Sequence, residues 1–231
     1  MDSNNDSLKM IVGLIVVIVL ISTALMYSIT TEQHNVTARG ISVLDASGRI
    51  LYLEKRPSRV ASLSPSITEI MFALGLEEYL VAVDNSSNYP QTIVEWKREG
   101  RVVDVGGYWW SIISIEKLAA AMPDVVLADL GAHEKLAPKL EELNITVVFL
   151  HGGSSRSIED VLSDIWIVAS IFGVEDRASL VINNITSTIN LIKSRIPENT
   201  TPPKVFLEVG EWGGIWTVSY THLTLPTTER V

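Results

Sequence analysis

The sequence predicts an α/β chain: a parallel-sheet lobe, a long connector helix, the first strand of a second α/β lobe, and an N-terminal membrane-spanning helix. Three observations carry this. Short apolar segments alternate with segments of helical periodicity across residues 57–152, which is the pattern of β-α-β units. Two of the short segments, Val125 to Leu127 and Val147 to Leu150, are apolar without interruption, as strands buried on both faces are. From Met10 to Ile29 only Gly13, Ser22, Thr23 and Ser28 fall outside the apolar set. A run of about 20 such residues spans about 30 Å as a helix, the depth of a bilayer core.

Taken in order, residues 1–9 read as a cytoplasmic tail and 10–29 as the anchor. The apolar run exceeds the ~7–15 residues of a signal h-region. Its small residues Ser22, Thr23 and Ala24 lie inside the run, so an uncleaved helix is expected. Residues 30–56 form a polar stalk and a β-hairpin, with strands Ile41 to Leu44 and Arg49 to Leu53 around the turn-forming Asp45, Ala46, Ser47 and Gly48. Within 57–152, strands are predicted at Arg59 to Leu63, Leu80 to Val83, Val102 to Val105, Asp124 to Ala128 and Thr146 to Leu150. Helices are predicted from Ser66 to Gly75, with Glu69 completing a capping box, from Ser114 to Met122, and from His133 to Leu143. This is a Rossmann-like lobe.

Helical spacing then runs through Val161, Ile165, Val168 and Phe172 and resumes after Gly173 through Ala178, Val181, Ile185, Ile189 and Ile192. Residues 153–198 are therefore expected to be one long helix with a bend. Residues 199–217 would begin a C-terminal lobe, with a strand from Lys204 to Gly210. One strand cannot bury a core, so that lobe is expected to be missing. Residues 218–231, beginning Val218, Ser219, Tyr220, Thr221, His222 and Leu223, resemble one frame of a transposon sequencing adapter and are expected to be non-native.

Composition narrows function. The chain has 27 acidic and 18 basic residues, a net charge of −9, and no cysteine. Nucleic-acid binding needs a basic face, so it is excluded as a role. Absent cysteine removes disulfides, thiol catalysis, cysteine metal sites and a cysteine-linked lipid anchor. Asn35, Asn85, Asn144, Asn184 and Asn199 each begin an Asn-x-Ser/Thr sequon, a candidate glycosylation pattern for an exported domain. His133 and His151 lack metal-ligand spacing, so no metal site is assigned and both are expected to be solvated loop residues. Glu141 and Glu142 read as a solvated helix end.

Ligands of open parallel sheets bind beyond the carboxyl ends of the strands. Here those loops start at Ser64, Asp84, Gly106, Asp129 and His151. Ser64, Pro65 and Ser66 stand at a helix N-terminus, where backbone N–H groups bind an anion or a carbonyl. They serve equally as a helix cap, and the two roles are compatible. Tyr108, Trp109 and Trp110 are adjacent, and three consecutive aromatics cannot all face one core. An exposed ring would give a flat, rigid contact surface; packing against the connector helix is the alternative.

The run Arg59 to Leu76 (RVASLSPSITEIMFALGL) resembles the opening of the helical-backbone substrate-binding proteins of ABC importers. The resemblance continues through Asn88 to Pro90, Val105 to Tyr108, Ser114 to Leu118, Met122 to Leu127 and Lys204 to Glu208. It implies two α/β lobes joined by a long helix, with ligand held in the cleft between them. It implies capture of cobalamin, haem or an iron(III)-siderophore outside the membrane, with the ligand as cargo and no cofactor. By the same carry-over Asn88, Tyr89, Trp212 and Trp216 approach the ligand, and Glu116 docks onto an ABC permease with its ATPase. An ordinary glutamate in the first turn of a helix is the alternative for Glu116. An enzyme is not expected, since no Gly-x-Gly-x-x-Gly turn, phosphate loop or Gly-x-Ser-x-Gly elbow occurs. A membrane-anchored ligand sensor or surface domain on the same fold is the other reading.

Overall fold

The computed structural model describes residues 18–23, 40–108, 111–197, 208–211 and 215–217. The chain divides into two compact units, Met1–Gly40 and Ile41–Val231. In the first, residues 18–23 are helical and exposed. Among the described residues no helix is long and apolar enough to cross a membrane. The structure therefore lends the expected spanning helix no support, and most of residues 10–29 lie outside the described residues. So do the tail 1–9 and the segment 218–231.

The second unit opens with an antiparallel hairpin of β1 (Ile41–Leu44) and β2 (Ile50–Leu53). Its turn is closed by Asp45, whose carboxylate accepts from Ser47 N, Arg49 N and the Arg49 guanidinium. The Ala46 N–H donates to the Phe149 carbonyl at 2.9 Å, which ties the hairpin to the sheet beyond.

That sheet has five parallel strands: β3 (Val60–Ser62), β4 (Leu80–Val83), β5 (Val103–Asp104), β6 (Val125–Asp129) and β7 (Thr146–Leu150). Their spatial order is β5-β4-β3-β6-β7. The chain moves outward from β3 to β5, then crosses back to build on the other side of β3. The order thus reverses between β3 and β6, which pair with Val60 beside Val125 and Ser62 beside Leu127.

Side-chain alternation splits the core into two layers. Val60, Val83, Val125, Leu127, Val148 and Leu150 point into one. Ala61, Leu63, Ala82, Val126, Val147 and Phe149 point into the other. The first layer is covered by α1 (Pro65–Ala73), α2 (Gln91–Glu99), α6 (Ile158–Phe172) and part of α7 (Glu175–Ser194). The second is covered by α3 (Ile115–Ala120), α4 (Leu130–His133) and α5 (Ala137–Glu141).

Several elements depart from expectation, each for a local reason. Helix α1 is capped by Ser64, whose oxygen accepts from Ile67 N, and Pro65 occupies the first turn. Proline fits there because its missing N–H would have no intrahelical partner; the expected Ser66–Glu69 capping box does not form. Helix α2 is absent from the sequence reading although Pro90 precedes it and Gly100 ends it in the left-handed conformation at φ 73°. The predicted helix from His133 to Leu143 is instead two short helices, α4 and α5.

The connector is two helices rather than one. Helix α6 stops at Gly173, which sits at φ 63° and lets Val174 N–H reach the Ala169 carbonyl at 3.1 Å. A Cβ at that glycine would come within 2.3 Å of Arg56 Nη2. In α7 only Ala178 is fully buried, with Val181, Ile182 and Ile185 half-buried against the core. Leu191 and Ile192 further on are exposed.

Beyond it, β8 (Glu208–Glu211) and β9 (Ile215–Thr217) form an antiparallel hairpin. Trp216 therefore lies within a strand, opposite Gly210, instead of after the single strand expected there.

Candidate functional site

The carboxyl ends of all five parallel strands open onto one cleft of about 800 Å³. The loop after β3 contributes Ser64, Pro65 and Ser66, and the loop after β4 contributes Asn85 and Ser86. Gly107, Tyr108 and Ile112 follow β5, Gly131 and Ala132 follow β6, and Gly153 and Ser154 follow β7. The reversal of strand order between β3 and β6 produces this crevice, because the loops leaving those two strands turn in opposite directions.

One carboxylate fastens three of these loops together. Asp129, fully buried at the end of β6, accepts at Oδ1 from Gly131 N (2.8 Å), Ala132 N (3.1 Å) and Ser154 Oγ (3.1 Å). At Oδ2 it accepts from the Tyr108 hydroxyl (2.5 Å) and from Gly153 N. The glycines are required by this close approach. A Cβ on Gly152, itself at φ 53°, would lie 2.5 Å from Asp129 Oδ2, and one on Gly153 would lie 2.7 Å from the Tyr108 oxygen.

His133 braces the same cluster from below. Its Nδ1 accepts from Asp129 N at 2.9 Å, so Nε2 carries the proton and donates to the Tyr108 carbonyl. The imidazole packs edge-on to the Tyr108 ring, with centroids 5.4 Å apart. Burial holds its pKa below the usual 6.5, against the pull of the Tyr108 carbonyl and of Asp129 and Asp84. His133 is fully buried and hydrogen-bonded, which corrects the expectation of a solvated loop histidine.

A second buried carboxylate anchors the β4 loop. Asp84 accepts from Ser87 Oγ (2.5 Å) and Ser86 N (2.9 Å). Ser87 continues through Thr68 of α1 to Ser62 of β3 in a chain of buried hydroxyls. Burial raises the Asp84 pKa, only partly offset by its bond from Ser87. His151 likewise is held by its Nδ1 contact of 2.9 Å to Asp164 on α6. Burial raises the Asp164 pKa too, with the Gly152 and His151 bonds opposing it. Among the described residues no group of three or more His, Asp or Glu is arranged to hold a metal.

Of the residues expected from the sequence, Ser64, Pro65, Ser66 and Tyr108 are brought together in the cleft. Tyr89 is exposed in a neighbouring groove of about 510 Å³, shared with Ser66, Glu69 and Pro90. Asn88 is exposed and lines neither space. Trp109, Trp110 and Trp212 lie outside the described residues. Glu116 is exposed at the start of α3, where its own backbone N–H and the Ser114 hydroxyl lower its pKa. Asn85, Asn144 and Asn184 are exposed, and Asn85 is itself a cleft residue, so a glycan there would fill the opening. Asn35 and Asn199 lie outside the described residues.

Sequence reasoning passed over Asp129, His133, Asp84 and the Gly152–Gly153 pair as site residues. A signal existed for the first two: an aspartate ending an apolar strand, with a histidine four residues later. The meeting of Asp129 with Tyr108 and Gly153 left none.

Comparison with known proteins gives a consistent set of relatives. The family described as periplasmic binding protein matches residues 60–223. A Bacillus subtilis (strain 168) protein named as an uncharacterized ABC transporter substrate-binding lipoprotein is 28% identical over 182 residues, 77% of this chain and 54% of that one. The vitamin B12-binding protein of Yersinia pestis (strain Pestoides F) is 29% identical over 153 residues, covering 66% of this chain and 50% of its own. A crystal structure of a periplasmic binding protein from Veillonella parvula DSM 2008 shares the fold at TM-score 0.62 and 18% identity, covering 79% of this chain and 63% of that one. The chain spans about half the length of these curated relatives.

Proposed function

The chain belongs to the periplasmic binding protein family, a family of solute-binding proteins and not of enzymes, and from that premise we propose that it serves as the extracytoplasmic substrate-binding component of an ABC importer. Its ligand is a cobalamin, haem or iron(III)-siderophore type of metal chelate, captured at the cleft above the sheet and delivered to a permease and ATPase complex. The observation that carries this reading is the convergence of all five strand-end loops on one opening of about 800 Å³. Reversible capture needs a pre-formed concave surface with a few oriented polar groups. The serines at Ser64, Ser66 and Ser154, the last of them held by Asp129, supply these. Trp109 and Trp110 follow Tyr108 directly and would extend the aromatic surface. Glu116, exposed on α3, is the proposed permease contact on this lobe.

The bulk of the chain is proposed to be held outside the membrane by residues 10–29. The support is the uncharged apolar run itself. Retention in membranes washed with alkaline carbonate, lost on deleting residues 1–29, tests the anchor.

Titration of the full-length product with cyanocobalamin, haem and a ferric siderophore, followed by tryptophan fluorescence, tests capture. Saturable quenching by at least one class is expected. No saturable change with any class would refute the reading.

A further inference from the structure

We propose that Asn144 is an N-glycan acceptor of the folded chain, with the sugar nearest it seated in the groove beside Tyr52. The site requires the extracytoplasmic placement proposed above and is independent of the ligand the cleft captures. Glycan transfer needs the asparagine amide and the hydroxyl two residues on at one accessible place. Asn144 and Thr146 meet that need. Asn144 is exposed in the turn between α5 and β7, at φ 59°. Its turn is held by the backbone, with Asn144 N donating to the Glu141 carbonyl (2.9 Å) and Ile145 N to the Leu140 carbonyl (3.0 Å). Among the described residues no hydrogen bond engages the Asn144 amide or the Thr146 hydroxyl. Both residues line one groove of about 340 Å³. The other two described sequons fail the same condition. At Asn85 the hydroxyl two residues on is Ser87 Oγ, which is fully buried and donates to Asp84. Asn184 lies inside α7, where it and Thr186 project about 200° apart around the helix axis. Bringing that pair together would unwind the helix and pull the half-buried Ile185 off the core.

The groove has the chemistry of a sugar seat. Tyr52, 66% exposed on the outer face of the β1–β2 hairpin, lines it and offers a flat ring with a polar tip. Glu141 lines it too; its Oε1 accepts from Arg49 Nη1 at 3.0 Å, and Oε2 is left to accept from a sugar hydroxyl. A glycan here clears the cleft. Asn144 precedes the amino end of β7, whereas the cleft opens beyond the carboxyl end, at Gly153 and Ser154. The strand between spans about 13 Å. The donor is an oligosaccharide linked to a polyprenyl diphosphate, and the catalyst is a separate oligosaccharyltransferase. Transfer forms a bond from Asn144 Nδ2 to the anomeric carbon and breaks that carbon's bond to the diphosphate oxygen. The diphosphate leaves with the electron pair, one amide proton passes to solvent, and nothing is oxidised or reduced.

The test incubates the purified full-length protein with a polyprenyl-diphosphate-linked oligosaccharide and a single-subunit oligosaccharyltransferase that accepts any Asn-x-Ser/Thr. Glycopeptide mass spectrometry reads each sequon separately. Synthetic peptides covering residues 82–90, 141–149 and 181–189 give the unfolded reference for Asn85, Asn144 and Asn184. The ratio of occupancy in the folded protein to that in the peptide should be about tenfold or more higher at Asn144 than at the other two, where local opening must come first. A ratio at Asn144 equal to or below that at Asn85 or Asn184, or no transfer to Asn144 in the folded protein, overturns the proposal. The sugar seat has its own readout. Attachment at Asn144 should raise Tm by about 2–4 °C in the parent, the effect of one modest contact in a chain of this size, and leave Tyr52→Ala unshifted. An equal rise in both proteins removes the sugar from the groove. Failure of the cleft to bind any chelate leaves these outcomes unchanged, since neither readout involves the cleft.

Discussion

Replacing Asp129 by asparagine removes one charge and exchanges one oxygen for an N–H₂ group at nearly constant volume. The amide oxygen can keep the three contacts at Oδ1, from Gly131 N, Ala132 N and Ser154 Oγ. The N–H₂ then stands where Oδ2 accepted from the Tyr108 hydroxyl and Gly153 N. The tyrosine oxygen can turn and accept, but the Gly153 N–H is fixed by the backbone and faces another donor. A hydrogen bond to a charged group contributes about 1.5–3 kcal/mol, and two such bonds, from the Tyr108 hydroxyl and from Gly153 N, end at Oδ2. Allowing for the contact that re-forms with Tyr108, Asp129→Asn should destabilise by about 2–4 kcal/mol, lowering Tm by about 4–16 °C for a chain of this size. Thermal unfolding by far-UV circular dichroism reads the shift. The double variant with Tyr108→Phe should be less destabilised than the sum of the singles, with a coupling of about 1 kcal/mol. A Tm for Asp129→Asn within about 1 °C of the parent, or strict additivity with Tyr108→Phe, would show that the carboxylate is not what joins the loops.

Other outcomes follow from the same geometry. His133 has its pKa lowered from 6.5 by burial, so the unfolded chain binds more protons than the folded one in the window just below pH 6.5 and stability falls as pH drops through it. Proton uptake at Nδ1 would also break its bond from Asp129 N. The fall in Tm between neutral pH and that window should be shallower in His133→Asn; Asp84 and Asp164, whose raised pKa values favour the folded state toward acid, are common to both proteins and cancel in the difference. Gly152→Ala places a Cβ 2.5 Å from Asp129 Oδ2 at φ 53°, whereas Gly48→Ala at φ 82° meets nothing within 4 Å. Both incur the left-handed cost of about 1–2 kcal/mol, so a larger loss of denaturant stability at Gly152 measures the crowding of the hub, and equal losses would argue against it. Glu116→Ala, at an exposed residue that does not line the cleft, should leave chelate affinity unchanged and reduce uptake by the reconstituted importer; unchanged uptake would remove Glu116 from the docking surface.

Much of the lobe was legible beforehand. All five parallel strands were predicted to within one residue at either end, because continuous apolar segments such as Val125 to Leu127 fit a strand buried on both faces. The shortest, β5, was predicted as Val102 to Val105 and pairs only over Val103–Asp104. The five loops expected to carry the site are the loops that line the cleft, since each strand's carboxyl end follows from chain direction alone. Helix α2 was not seen: Ile93 and Trp96 are its only buried residues, too few for a periodic signal. Gly173 was read as a bend, yet its left-handed φ ends α6 outright. The aromatic run was read as a surface, but Tyr108 also donates to a buried carboxylate, a role its neighbours in sequence do not announce.

The division has a physical cause. Periodicity records which side of a strand or helix avoids water, and that is a local property repeated every two or 3.6 residues. It was enough to settle the α/β class, the strand positions and the end of the sheet at which the five loops converge. Hydrogen bonds between loops depend instead on strand order and register. Asp129 meets Tyr108, 21 residues earlier, and Gly153, 24 residues later, because β5, β6 and β7 end at one rim of the sheet. No pattern in the chain repeats at those separations. The tertiary structure alone therefore decided that His133 is a buried brace rather than a solvated residue, that Asp129 joins three loops, and that the Tyr108 and Ser154 hydroxyls donate to that carboxylate.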